Sequence, residues 1–142
     1  MSKNWSKDIK EMQYKFKTKL WMFENRNDRA ALDKYLEFRL KFLNEELRET
    51  EAAFTNRDAE EIVDGLIDLC VVAIGTLDAF GVDPNKAWDE VLKANLSKEP
   101  GVKPERPNPL GLPDLIKPEG WVGPSHKDNH GNFPNDIWFD IW

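Results

Sequence analysis

The segment from Glu61 to Phe80 restricts the fold of this chain more than any other stretch. Apolar side chains fill nearly all of its positions, whereas a helix on a protein surface has them along one stripe only. We therefore expect a helix from Asp58 to Phe80 that is buried on most sides and ends at Gly81, because glycine commonly terminates helices. Its apolar residues are Ile62, Val63, Leu66, Ile67, Leu69, Cys70, Val71, Val72, Ala73, Ile74, Leu77 and Phe80.

Acidic residues interrupt this apolar helix along a single stripe. Glu61, Asp64 and Asp68 fall within about 60° of one another when residues are set at helical intervals. In the preceding segment, Glu46 and Glu49 are three residues apart and share one face of a helix. Buried carboxylates are unfavourable unless they are protonated, paired or bound to metal. These five residues therefore predict a site for Mg²⁺ or Mn²⁺, since both ions prefer oxygen ligands.

Ordinary surface charge is the alternative explanation for the same residues. Asp58 would then cap the apolar helix, with Glu61 closing a capping box three residues later. Glu46 and Glu49 would pair with Arg39 or with other exposed basic side chains. This alternative suits the first acidic segment better than the second, because an acidic stripe on an otherwise apolar helix leaves charge near the protein interior.

Three further helices follow from apolar spacing and from residues typical of helix ends. Helix one is expected over Ser6–Phe23 and helix two over Arg29–Phe54, with apolar residues three and four positions apart. The short turn Thr55–Arg57 makes helix two and the apolar helix antiparallel neighbours, so that their acidic segments face one another. A last helix should span Asp83–Ser97, since aspartate caps helices and proline suits the first position. The sequence thus predicts an all-α, four-helix bundle.

After residue 98 the composition changes, and no long regular element is expected. Eight of the nine prolines and five of the eight glycines lie from Pro100 onward, a composition that disfavours helices. We divide the chain into an α-helical domain, residues 1–98, and an extended tail, residues 99–142. Aromatic side chains are poorly suited to solvent, so the tail should dock on the bundle or on a neighbouring subunit. Those aromatic residues are Trp121, Phe133, Trp138, Phe139 and Trp142.

The charge of the chain is acidic overall and unevenly distributed. Its net charge of −6 argues against a dedicated nucleic-acid binder. Residues 1–30 carry eight Lys/Arg and four Asp/Glu, whereas residues 37–68 carry four Lys/Arg and ten Asp/Glu. A basic arm beside an acidic centre is suited to an anionic substrate that binds through metal ions.

The sequence shows no pattern of export or of membrane insertion. Cys70 is the single cysteine, which excludes a disulfide within the chain and favours a reducing compartment. The first ten residues lack the apolar core of a signal peptide. Asp64, Asp68 and Asp78 interrupt the longest apolar run, which argues against a transmembrane helix. We therefore expect a cytoplasmic protein without membrane or nucleic-acid partners.

The two acidic segments together resemble the signature of the MazG-like, all-α nucleoside triphosphate pyrophosphohydrolases. That signature is Glu-Glu-x-x-Glu on one helix, followed by Glu-x-x-Asp on the next. Glu45, Glu46 and Glu49 match the first motif. The resemblance is of the phage and bacterial type and covers about residues 30–124.

The second motif has two alignments in this chain. Glu61 with Asp64 fits the Glu-x-x-Asp spacing directly. The distance to the Gly-Val-Asp segment that begins at Gly81 instead favours Asp68 as the aspartate and puts Gly65 where glutamate is usual. Asp64 would then stand in from one position earlier, and the ligand set stays open between these alternatives.

Two downstream segments extend the resemblance. Residues 94–98 (ANLSK) are similar to an Asn-Met-x-Lys segment of phage and bacterial relatives. Residues 114–121 (DLIKPEGW) are similar to their lysine-proline-glycine-tryptophan tail. An ordinary helix end is the alternative for Asn95 and Lys98, because asparagine is common in C-terminal turns and lysine complements the helix dipole there.

The resemblance implies hydrolysis of a nucleoside triphosphate between its α and β phosphates, which yields the monophosphate and pyrophosphate. It also implies Mg²⁺ or Mn²⁺ as cofactor, and a homo-oligomer, either dimer or tetramer, that completes a MazG-like bundle. On this interpretation the metal ligands are Glu46, Glu49, Asp64 and Asp68. The catalytic residues are Glu45, Glu46, Glu49 and Glu61, with Glu45 or Glu61 as further ligand or base.

Substrate binding is expected from five side chains outside the acidic segments. Lys98 would contact phosphate, and Asn95 would donate hydrogen bonds to phosphate or sugar. Phe16 and Trp121 would stack on the base, and Gln13 would help to select it. We expect a purine deoxynucleotide such as dGTP or dATP, because the larger ring uses the aromatic surface better.

A non-catalytic helical module that binds nucleotides or other proteins is the alternative function, with the acids as surface charge. Metal-dependent release of pyrophosphate from a nucleotide panel distinguishes the two classes. A di-iron four-helix protein is excluded, because it needs Glu-x-x-His pairs. Both histidines, His126 and His130, lie in the tail.

Overall fold

The computed structural model describes residues 4–136, and most of their regular structure is helical. This agrees with the all-α class, although the helices number five and one small antiparallel strand pair follows them. The helices are α1 (Trp5–Lys15), α2 (Thr18–Glu24), α3 (Arg29–Thr55), α4 (Ala59–Ala79) and α5 (Pro84–Leu96), and the strands are β1 (Glu99–Gly101) and β2 (Asp114–Ile116).

The chain divides into two compact units. The first unit contains the residues up to Pro84 together with the segment from His130. The second unit is Asn85–Asn129. Helices α1 to α4 therefore belong to the first unit, and nearly all of α5 and the strand pair belong to the second.

The first predicted helix is two helices in the structure, so the prediction of one continuous helix over Ser6–Phe23 is wrong. The helix breaks at Lys17, whose φ of 60° lies in the left-handed region, at a cost of roughly 1–2 kcal/mol. Tertiary contacts offset that cost, because Lys10 of α1 and Lys19 of α2 both contact the buried carboxylate of Asp78, at 2.8 and 3.0 Å. No glycine or proline marks the break in the sequence.

Helices α3 and α4 are antiparallel neighbours, as predicted. Asp58 caps α4, because its carboxylate accepts a hydrogen bond of 3.2 Å from the backbone N–H of Glu61. Arg57, just before this cap, has a φ of 56° and reverses the chain. Along the pair, Thr50 of α3 contacts Gly65 of α4. The acidic segments of both helices lie near this contact.

Phe80, just after α4, is the centre of the core of the first unit and has no exposed surface. Phe133 stacks on its ring with centroids 4.3 Å apart. The N–H of Asn132 donates a hydrogen bond of 2.8 Å to the Phe80 carbonyl. The cluster consists of Met22, Leu32, Ala79 and Phe80, with Trp21, Tyr35, Leu36 and Phe133 packed against it. The other predicted docking aromatics near the C-terminus, Trp138, Phe139 and Trp142, lie outside the described residues.

Helix α4 is buried on most sides only toward its C-terminal end. The prediction that the whole helix is buried is therefore wrong for the single chain. Val72 and Thr76 are buried, whereas Val63, Leu66 and Ile67 are 63, 52 and 45% exposed. Helices α1, α2 and α3 pack on α4 but leave this apolar surface uncovered. No single helix within residues 4–136 is long and apolar enough to cross a membrane.

Candidate active site

The contact between Thr50 and Gly65 brings the two acidic segments side by side. Thr50 is buried, and a Cβ atom at Gly65 would overlap its side chain and lie 3.4 Å from its Cα. Glycine lets the two backbones approach this closely because it has no Cβ. Glu49 directly precedes Thr50 and Asp64 directly precedes Gly65, so carboxylates of both helices flank the contact.

Thr50 also connects this contact to Glu46. Its hydroxyl donates a hydrogen bond of 2.8 Å to the Glu46 carbonyl, one turn earlier in α3. Thr50 was not predicted from the sequence, because threonine often makes this bond inside helices without any further role. Only its burial against Gly65 shows that it lies beneath the acidic residues.

Burial and neighbouring negative charge both act on the Glu46 carboxylate. The side chain is half-buried, and its Oε2 atom is buried without a hydrogen-bond partner. Desolvation raises the pKa of Glu46, and repulsion by Glu49, Asp68, Asp64 and Glu45 raises it further. Charges from both helices therefore act on one carboxylate, which agrees with the expectation that the acidic segments face one another.

We call Glu45, Glu46, Glu49, Glu61, Asp64 and Asp68 the acidic cluster. Besides Glu46, only Asp68 is half-buried, and the other four are exposed. Glu61 lies in the first turn of α4 and is not among the charges that raise the pKa of Glu46. Within residues 4–136, none of the six carboxylates takes part in an ion pair.

Arg39 does not neutralise the acidic cluster. Its Nε atom donates to the Thr76 hydroxyl and its Nη2 atom donates to the Val72 carbonyl, both at 2.9 Å. The alternative in which Arg39 pairs with Glu46 and Glu49 is therefore wrong. The guanidinium instead joins α3 to the buried half of α4.

The acidic cluster fits a divalent cation in donor type and in charge. Carboxylate oxygens are the ligands that Mg²⁺ and Mn²⁺ prefer, and the partnerless Oε2 of Glu46 is available to bind one. In the part of the chain that the structure describes, no three His, Cys, Asp or Glu side chains already converge as a formed metal centre. The side chains that could hold an ion are Glu46, Glu49, Asp64 and Asp68.

The two predicted substrate-binding residues of the first unit lie in different environments. Gln13 is only 5% exposed, and its amide donates a hydrogen bond of 2.9 Å to the Gly75 carbonyl. It therefore ties α1 to α4. Phe16, which follows α1, is 68% exposed and offers a free ring face to a ligand.

In the second unit the structure brings Lys98 and Trp121 together. The indole Nε1 of Trp121 donates to the Ala94 carbonyl and to the Ser97 hydroxyl, both at 2.9 Å. The ammonium groups of Lys98 and Lys117 each lie 5.1 Å from the centre of the Trp121 ring. These contacts hold the ring in place and cover part of its surface with cations.

A cleft of about 580 Å³ lies beside Trp121 in the same unit. Ala94 and Ser97 of the α5 end form one part of its lining, and the segment from Pro118 forms another. Asn95 is exposed but does not line this cleft. Of the three substrate-binding residues predicted here, Lys98 and Trp121 are therefore neighbours through their side chains. Asn95 is connected to Lys98 through the backbone, because its carbonyl accepts a hydrogen bond of 3.1 Å from the Lys98 N–H.

The model of the phosphoribosyl-ATP pyrophosphohydrolase family matches residues 14–95. The chain belongs to this family. The match covers more than half of the chain and includes the whole acidic cluster. The family is part of the MazG-like nucleotide pyrophosphohydrolase superfamily, which confirms the resemblance seen in the sequence. Comparison with curated proteins gave no match.

Membership in the phosphoribosyl-ATP pyrophosphohydrolase family makes this protein a nucleotide pyrophosphohydrolase. The matched region ends at Asn95, so Lys98, Lys117 and Trp121 lie beyond it. Lys117 is a second residue for which no role was predicted from the sequence. Only the structure shows that its ammonium group lies against the Trp121 ring.

Proposed function

We propose that this pyrophosphohydrolase cleaves a nucleoside triphosphate between its α and β phosphates, to the monophosphate and pyrophosphate, with Mg²⁺ or Mn²⁺. The observation that carries the proposal is Glu46, a half-buried carboxylate with a partnerless oxygen and four carboxylates around it. Such an arrangement is unfavourable in the absence of a cation. A surface-charge role leaves that arrangement unexplained.

Glu46, Glu49, Asp64 and Asp68 would hold the metal, because they come from both helices and act on one another electrostatically. The bound ion would neutralise the substrate phosphates and lower the pKa of water. Thr50 would keep Glu46 in place through its hydrogen bond to the backbone. The structure thus supports the alignment in which Asp64 and Asp68 are both metal ligands and Glu61 is not.

Glu45 is the better candidate for the base that accepts a proton from water. Its charge reaches the Glu46 carboxylate, whereas that of Glu61 does not contribute there. Glu45 is also exposed, so water reaches its oxygens. Glu61 has a separate position at the capped start of α4.

A purine deoxynucleotide such as dGTP or dATP is the substrate we propose. The exposed ring of Phe16 offers stacking area for a large base. Lys98 would contact phosphate, and Asn95 would hydrogen-bond the phosphate or sugar. Gln13 would help to select the base by accepting a hydrogen bond through its side-chain oxygen. Its side-chain N–H₂ group already donates to the Gly75 carbonyl.

A panel of nucleotides tests this proposal directly. Pyrophosphate release should be measured from each dNTP, each NTP and phosphoribosyl-ATP, with Mg²⁺, with Mn²⁺ and with EDTA. We expect metal-dependent release that is fastest with a purine dNTP. Glu49→Gln and Asp68→Asn should each abolish turnover and leave the helical circular dichroism unchanged.

Glu60→Gln is the matched control, since Glu60 is an exposed acid in the first turn of α4 but lies outside the acidic cluster. This variant should keep full activity. Full activity in the Glu49 and Asp68 variants would contradict the assignment of ligands. If no nucleotide releases pyrophosphate with either metal, the result would favour the non-catalytic helical module instead.

A further inference from the structure

The strand pair of the second unit brings two lysines to one of its ends. In its antiparallel register, Glu99 of β1 faces Ile116 of β2. Lys98 directly precedes β1 and Lys117 directly follows β2, so both lysines lie at this end of the pair. Two like charges near one another repel. The pair therefore needs a compensating group.

Within the chain, that group is an aromatic ring and not a carboxylate. Both ammonium groups lie 5.1 Å from the Trp121 ring centre, within the range of cation–π attraction. Among the ion pairs of residues 4–136, none includes either lysine. The adjacent cations differ in this respect, because Lys103 and Arg106 both pair with Asp114, at 3.7 and 3.1 Å.

The Trp121 ring is held firmly enough to position both lysines. Its Nε1 atom binds two acceptors at the end of α5, the Ala94 carbonyl and the Ser97 hydroxyl. Its backbone N–H donates a hydrogen bond of 3.0 Å to the Pro118 carbonyl, which closes a turn. Gly120 has a φ of 74° in that turn, a conformation that favours glycine.

We infer that Lys98 and Lys117 form one binding site for a condensed phosphate, with Trp121 as the positioning residue. The two ammonium groups lie within about 10 Å of each other, because each is 5.1 Å from the same ring centre. Each ammonium offers up to three donors, and lysine binds phosphate as a point charge. Lys117 is exposed, so a ligand has access to it.

The ligand is the diphosphate or triphosphate group of a nucleotide, and this identity rests on the proposed function. Lysine supplies charge without base recognition, so the pair would act on every nucleotide alike. Phosphate oxygens would replace the carboxylate that this pair lacks. Base selectivity would then have to come from other residues.

Calorimetric titration of the full chain with inorganic pyrophosphate tests the site. EDTA removes divalent cations, so that the acidic cluster repels pyrophosphate. The measured heat of binding then comes from the lysine site alone. Lys98→Met and Lys117→Met should each weaken binding by roughly tenfold or more, the scale of a lost charged hydrogen bond. Lys117→Arg should retain most of the affinity.

Lys127→Met is the matched control, because Lys127 is an exposed lysine of the same unit without such a ring contact. It should bind pyrophosphate as the unmodified protein does. Trp121→Leu should weaken pyrophosphate binding and raise KM for the nucleotide while kcat changes little. A fall in kcat with unchanged KM would overturn the positioning role.

Equal pyrophosphate affinity in the unmodified protein and in both methionine variants would overturn the site, as would no binding at all. Failure of the proposed function has a different signature. If no nucleotide is hydrolysed but pyrophosphate binding still depends on Lys98 and Lys117, the result supports the anion site and contradicts the hydrolysis proposal.

Discussion

At the Glu46 carboxylate, burial and repulsion act in the same direction. Both raise its pKa above the usual value of 4.5. A group whose pKa is raised by folding stabilises the folded state while it is protonated. That stability is lost as the pH rises from the usual value through the raised one. Without a cation, the folded protein therefore carries an electrostatic cost at neutral pH that is absent in acid.

We predict that Glu46→Gln raises the melting temperature of the EDTA-treated protein near pH 7 and changes it little near pH 4, where Glu46 is protonated. The same variant should lose about two orders of magnitude or more in kcat/KM, as when an electrostatic group at a reacting centre is removed. Thermal unfolding at both pH values and a turnover assay check this. A variant less stable than the unmodified protein at both pH values would contradict the account.

At the scale of the helices, the two buried glycines of α4 have different neighbours. A Cβ atom at Gly65 would meet the side chain of Thr50 and come close to its backbone. A Cβ atom at Gly75 would lie 2.8 Å from the Nη2 atom of Arg39, the far end of a flexible side chain. The first contact sets the distance between α3 and α4, whereas the second is adjustable.

We predict that Gly65→Ala lowers the free energy of unfolding by about 2 kcal/mol, because overpacking outweighs the gain in helix propensity. Turnover should fall as well, since α3 and α4 must separate beneath the acidic cluster. Gly75→Ala is the comparison variant and should cost less, because only the end of the Arg39 side chain has to shift. Urea unfolding of both variants measures the difference, and equal effects would show that the Thr50 contact has no special role.

At the scale of the whole molecule, apolar surface remains on the acidic-cluster half of α4. Val63, Leu66 and Ile67 are all exposed there. Contiguous exposed apolar side chains commonly mark protein interfaces, so we propose a homo-oligomer, a dimer or tetramer, that covers this surface. Deletion of the residues after Lys98 would remove Phe133 from the core as well as Trp121. Loss of activity in such a shortened chain would therefore not show that the tail binds substrate.

We predict that light scattering at micromolar concentration shows a homo-oligomer and that Leu66→Glu reduces its mass to that of the monomer. A charge on this surface would be buried without a partner in the assembly. Leu112→Glu is the matched control, because Leu112 is similarly exposed but belongs to the second unit. A monomeric unmodified protein would contradict the proposal.

Periodic patterns in the sequence determined the helical class, the α3–α4 hairpin, the acidic cluster and the family. These features are readable because helix periodicity, caps and motif spacing are local properties of the chain. The Asp58 cap, expected from the sequence under the surface-charge alternative, is confirmed, because the Asp58 carboxylate accepts a hydrogen bond from the backbone N–H of Glu61.

Tertiary structure alone decided the features that depend on residues far apart in the sequence. The helix break at Lys17 exists because Lys10 and Lys19 both reach Asp78, and no local pattern encodes that meeting. Arg39 binds the buried half of α4 because packing places it there. The meeting of Lys98 and Lys117 at the Trp121 ring depends in the same way on the pairing of β1 with β2. Hydrogen bonds between distant segments set that pairing, and a single stretch of sequence does not determine it.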